Sequence, residues 1–72
     1  MNKIRGYRNM LGKTQKEMAQ IFGISTNAYS KKEQGQIPFK DDEKILFKDM
    51  LSQYFPSITI DDIFFADRVK KS

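Results

Sequence analysis

Residues 14–35 read TQKEMAQIFGISTNAYSKKEQG, and this stretch decides the fold. Thr14 followed three residues later by Glu17 is a capping-box pattern, in which each side chain accepts a backbone N–H left free at a helix start. A helix therefore begins at Gln15. Its apolar positions Met18, Ala19 and Phe22 form one stripe, and Gly23 stops it because glycine tolerates positive φ. Ser25 offers a hydroxyl cap for another helix only two residues later. A connection of Gly23, Ile24 and Ser25 is too short for comfortable antiparallel packing, so a sharp crossing is favoured.

The helix that follows spans Thr26 to Glu33, with Gly35 as its stop and Pro38 just beyond. At about 100° per residue, Thr26, Asn27, Ser30, Lys31 and Gln34 share one arc of roughly 140°, and that arc is wholly polar. The opposite side carries Ala28 and Tyr29, with Lys32 between them in angle. Lys32 is thus expected to lay its methylene stem over apolar surface while its ammonium reaches water.

Outward from this stretch, three more helices are expected. Residues 2–11 carry Ile4, Tyr7, Met10 and Leu11 at helical spacing before Gly12. A fourth helix is expected over 41–54, where Asp41, Asp42 and Glu43 complement the positive end of the helix dipole and Leu46, Phe47, Met50, Leu51 and Tyr54 form a broad stripe. Thr59 with Asp62 is a second, weaker capping pattern for a last helix over 60–67, with Ile60, Ile63 and Phe64 facing inward. The chain reads as an all-α protein of five short helices forming one domain over residues 1–72.

Composition narrows the chemistry. Cysteine and histidine are both absent, which removes disulfides, thiolate metal sites, the usual general base and every imidazole-dependent triad. Neighbouring carboxylates such as Asp61 and Asp62 point in different directions on a helix, and no calcium-loop spacing occurs. The expectation is therefore no enzyme, no cofactor and no metal. The charged N-terminal stretch does not read as a signal peptide, and no apolar run is long enough for a bilayer, so a cytoplasmic protein without a membrane partner is expected.

The net charge of +4 is unevenly spread. Residues 1–40 hold Lys3, Arg5, Arg8, Lys13, Lys16, Lys31, Lys32 and Lys40 against Glu17 and Glu33, a net of +6, whereas residues 41–72 sum to −2. A polyanion such as double-stranded DNA suits the first half.

The stretch 14–35 resembles the helix-turn-helix of the phage repressor and Cro family. The resemblance rests on Thr14 and Gln15, Glu17, the small Ala19 at the helix crossing, Gly23, Tyr29, and Glu33 with Gly35. With Arg8 and Pro38 it covers about residues 3–55. It implies a lambda-repressor-like fold in which the third helix enters the major groove. The base-contacting residues it implies are Thr26, Asn27 and Lys31, with Ser30 beside them. Asn pairs bidentately with adenine, Lys donates to guanine, and the Thr methyl meets a thymine methyl. Phosphate contacts fall on Thr14, Gln15, Gln34, Gln36 and Lys40, helped by the free N–H groups at the start of helix two. Arg8 and Glu33 match a pair that ties helix one to the end of helix three. Lys32 stands where the family often has an apolar residue, and the reading face has one cation and no arginine.

Two functions are consistent with this reading. One is a sequence-specific transcription regulator, a homodimer on half-sites about 34 Å apart. The other is an antirepressor, which forms a heteromeric complex with a repressor protein and covers its DNA-reading surface, using the acidic second half to imitate DNA.

Overall fold

The computed structural model describes residues 2–65, and the regular elements among them are all helical. Four α-helices follow in order, α1 (Lys3–Met10), α2 (Gln15–Phe22), α3 (Thr26–Glu33) and α4 (Asp41–Ser52), and a fifth, π-helical element covers Asp61–Phe65. None of them is long and apolar enough to cross a membrane. The chain gathers into two compact units, Met1–Lys40 and Asp41–Ser72.

In the first unit local chemistry sets each boundary. Asn2 caps α1 by accepting the Arg5 N–H at 3.0 Å. The Thr14–Glu17 capping box is complete: Thr14 N–H donates to Glu17 Oε1 at 2.8 Å, and Glu17 N–H donates to Thr14 Oγ1 at 3.1 Å. Gly23 sits at φ 71°, the left-handed conformation that lets the Ile24 N–H turn back to the Ala19 carbonyl at 3.0 Å. Two residues on, Ser25 Oγ accepts from the Ala28 N–H at 3.0 Å and starts α3. The helix boundaries of this motif match the sequence expectation because short-range caps dictate them.

α2 packs on α3. Met18, Ala19 and Tyr29 are buried between their neighbours, and Ala19 keeps the approach close. Phe39, just past Pro38, folds back to complete a ring cluster, with centroids 5.8 Å apart for Phe22 and Tyr29, 6.2 Å for Phe22 and Phe39, and 6.3 Å for Tyr29 and Phe39. Such edge and tilted contacts stabilise beyond area burial by about 0.5–1.5 kcal/mol each. Lys32 is buried, in keeping with a stem laid across apolar surface. Met10, by contrast, is exposed, and the buried residue of α1 is Arg8.

The second unit departs more from expectation. α4 ends at Ser52 rather than 54, because the N–H groups of Tyr54 and Phe55 both donate to the Leu51 carbonyl at 2.9 Å and turn the chain aside. Tyr54 therefore lies off the helix and is exposed. The apolar stripe is also narrower than expected: Glu43, Phe47 and Leu51 form the buried row at four-residue spacing, while Leu46, about 100° away from Phe47, is exposed. Thr59 and Asp62 do form a reciprocal cap, Thr59 N–H to Asp62 Oδ2 at 3.0 Å and Asp62 N–H to Thr59 Oγ1 at 3.1 Å. The element it starts is π-helical over the described residues Asp61–Phe65, not an α-helix; residues 66 and 67 of the expected helix lie outside the described residues. Ile63 is buried and Phe64 meets Phe47 edge-on at 6.0 Å. Lys44 Nζ stands over the Phe64 and Phe65 rings at 5.8 and 4.8 Å.

Candidate functional site

α3 has two chemically distinct sides. Tyr29, Lys32 and Glu33 are buried, whereas Thr26, Asn27 and Lys31 are exposed and Ser30 is half-buried. The sequence-expected reading residues therefore share one outward row, one helical turn long from Thr26 and Asn27 to Ser30 and Lys31. Burial of the opposite side fixes the rotation of that row.

The row continues into the segment after α3. Gln34 Nε2 donates to Ser30 Oγ at 3.3 Å, and Gln36 Nε2 donates to Gln34 Oε1 at 2.8 Å, so three of the expected contact residues form an exposed hydrogen-bonded ladder. Gly35, at φ 85°, allows the chain to reverse, and the Gln36 N–H returns to the Lys31 carbonyl at 2.9 Å. Phe39 anchors this segment on the α2–α3 rings, which holds the exposed Lys40 near its root. Sequence reasoning gave Phe39 no role; its signal was an aromatic residue directly after a proline and before a helix cap.

Behind the row lies a buried polar cluster centred on Glu33. Its carboxylate accepts Arg8 Nε at 2.7 Å, Arg8 Nη2 at 3.3 Å, Tyr29 Oη at 2.9 Å and Gln15 Nε2 at 2.8 Å. Arg8 also donates Nη1 to the Lys13 carbonyl at 2.9 Å, and Asn2 Nδ2 donates to the Glu33 carbonyl at 2.8 Å. Arg8 and Glu33 are joined as the resemblance implied, but the pair is buried, with side-chain exposures of 10% and 2%. It is thus no surface ion pair worth a fraction of a kcal/mol; such a pair matters chiefly through the cost of breaking it. Among the described residues no buried side-chain N or O lacks a partner.

Burial alone would push the Glu33 carboxyl upward, but the hydrogen bonds from Arg8, Gln15 and Tyr29 outweigh it and hold the group below the usual carboxylate range. The Tyr29 phenol is pushed well above its ordinary value, first by burial and then by its bond to the Glu33 carboxylate. The Arg8 guanidinium is held further up by its hydrogen bonds to Glu33.

Of the expected phosphate-contacting residues, Thr14, Gln34, Gln36 and Lys40 are exposed. Gln15 is half-buried and carries a second task, its amide being tied to Glu33. Asn2, which no sequence pattern singled out, fastens the start of α1 to the end of α3. No group of acidic residues among the described residues is arranged to hold a metal ion.

Compared with known proteins, the chain matches no family model, no curated protein and no solved structure.

Proposed function

We propose that this chain is a sequence-specific DNA-binding transcription regulator of a phage-type genetic switch, with a repressor-like helix-turn-helix whose α3 reads the major groove. The observation that carries the reading is the outward row of Thr26, Asn27, Ser30 and Lys31 on a helix whose other side is locked by Tyr29 and Glu33. Rigid presentation of short polar side chains is what base readout requires, because bidentate pairing to a base edge tolerates little angular error. The basic excess of residues 1–40 would bring a phosphate backbone to the same unit. At the start of α2 the first backbone N–H groups, those of Gln15 and Lys16, have no acceptor within the helix itself, which makes that helix end a seat for a phosphate. Two half-sites would call for a homodimer.

The deciding experiment is a gel shift of the DNA flanking the chain's own gene across a salt series. Retention that weakens steeply with salt, and a loss on Asn27→Ala restricted to particular sequences, are expected. A salt-independent response, or equal retention by the variant on every duplex, overturns the reading.

A second reading has its own support. Lys31 is the exposed cation of α3, since Lys32 is buried, while Asp41, Asp42, Asp49, Asp61 and Asp62 are all exposed. An acidic surface of this kind suits an antirepressor that binds a basic repressor protein. Running the same gel shift with a neighbouring repressor separates the two: release of the repressor from DNA, with no retention by the chain alone, favours the antirepressor.

A further inference from the structure

Glu33 is 5% exposed, so it touches no partner directly, yet one of its four hydrogen bonds leads to the surface. That bond runs from Gln15 Nε2 to Glu33 Oε1 at 2.8 Å, and Gln15 is the first residue of α2 and only half-buried. A carboxylate only accepts, so it admits one orientation of the facing amide, nitrogen inward. The NH2 group has two hydrogens. One is committed to Glu33, and the planar amide directs the other about 120° away. The remaining three bonds on the carboxylate, from Arg8 and Tyr29, keep it from turning to follow Gln15.

We propose that Glu33 is a positioning residue for a phosphate contact at the start of α2: it holds the Gln15 amide nitrogen-inward, so that the second N–H of that amide donates to a phosphate oxygen. The inference rests on the DNA-binding reading and adds a residue that never meets DNA. It also assigns the Arg8–Glu33 pair a task beyond stability, since Arg8 keeps the carboxylate charged and fixed. Replacing Glu33 by glutamine offers Gln15 both a donor and an acceptor, and the amide is then free to turn its oxygen toward the phosphate, where it repels.

The test uses the whole chain with a short mixed-sequence duplex at low salt, where phosphate contacts dominate. Variants Q15A and E33Q are each expected to weaken binding about tenfold, the loss of one hydrogen bond to a charged oxygen. The E33Q effect is expected to vanish in the Q15A background. Y29F removes another partner of Glu33 but leaves the carboxylate and its bond to Gln15 in place, so it is expected to lower the melting temperature and to weaken binding much less than E33Q. Additive effects of Q15A and E33Q, or equal weakening by Y29F, overturn the proposal.

A readout on the unaltered protein covers the case in which E33Q fails to fold. Of the two Gln15 Nε2 proton resonances, duplex should shift one and leave the Glu33-bonded one in place. If α3 amides shift on adding duplex while both Gln15 protons stay, positioning is refuted and DNA binding stands. If nothing shifts, the DNA-binding reading itself has failed.

Discussion

Tyr29 and Phe47 are both fully buried aromatic residues, one in each compact unit, and they do different work. Tyr29 packs against Phe22 and Phe39 and also donates its hydroxyl to Glu33, so its position is fixed in direction as well as in volume. Phe47 meets Phe64 edge-on and offers no hydrogen bond of its own. Dispersion and burial are non-directional, whereas a carboxylate with four donors from three helices has one arrangement. Around Tyr29 the first unit therefore holds orientation, whereas around Phe47 the second buries surface. That is the division expected if α3 must present a polar row at a fixed angle.

The largest effect should come from breaking the directional element. Glu33→Ala leaves the Arg8 guanidinium buried without its carboxylate, a loss of about 3–5 kcal/mol, which approaches the whole stability of a small domain. Phe47→Leu keeps an apolar side chain in an apolar site and should cost under about 1.5 kcal/mol. Denaturant melts of the two variants check the contrast. Equal losses would mean that the polar cluster adds nothing beyond packing.

Acidity probes the same difference with smaller effect. Because Glu33 in the fold sits below the usual carboxylate range, the unfolded chain binds its proton more readily than the folded one. The stability it contributes is complete above the unfolded value of about 4.3 and is lost as pH falls through the lower folded value. Glu17, held down mainly by the Thr14 N–H, titrates in the same direction. At the other extreme the raised Tyr29 phenol keeps its full contribution below its unfolded value near 10, and that contribution declines above it. Melting temperature against pH should fall on both sides, and Glu33→Gln should flatten the acid limb. An unchanged acid slope in that variant would remove Glu33 from the explanation.

How much of this could be read from the sequence depended on range. The α2 and α3 boundaries followed from Thr14, Glu17, Gly23 and Ser25, all of which act on backbone groups within a few residues. The outward row on α3 followed from helical angle alone. The Arg8–Glu33 pair came from resemblance, since 25 residues separate the partners and neither spacing nor periodicity brings them together. Its burial, and the recruitment of Gln15 and Asn2, depended on where three helices meet. α4 was read with too broad a stripe because Leu46 and Tyr54 are apolar by type, while a turn at Leu51 and the true rotation of the helix decide exposure. The resemblance offers Gln15 as a phosphate contact, and nothing in the sequence marks it as a residue tied to a buried carboxylate.

The smallest prediction concerns the outer side of the first unit. Gly6 lies within α1 at an exposed position, and a Cβ added there meets nothing within 4 Å. Its φ is not positive, so alanine fits the backbone without strain. A helical glycine in such a place loses more chain entropy on folding than alanine does, and Gly6→Ala should stabilise by about 0.5–1 kcal/mol. For a chain of this size that raises the melting temperature by a few degrees. The orientation of α3 is held from the opposite side, through Arg8 and Asn2, so the duplex binding proposed above should not change. A more stable variant with weakened binding would show that the exposed side of α1, with Arg5 and Met10 beside Gly6, is itself a contact surface. The directional role would then extend beyond the Glu33 cluster to the outside of the unit.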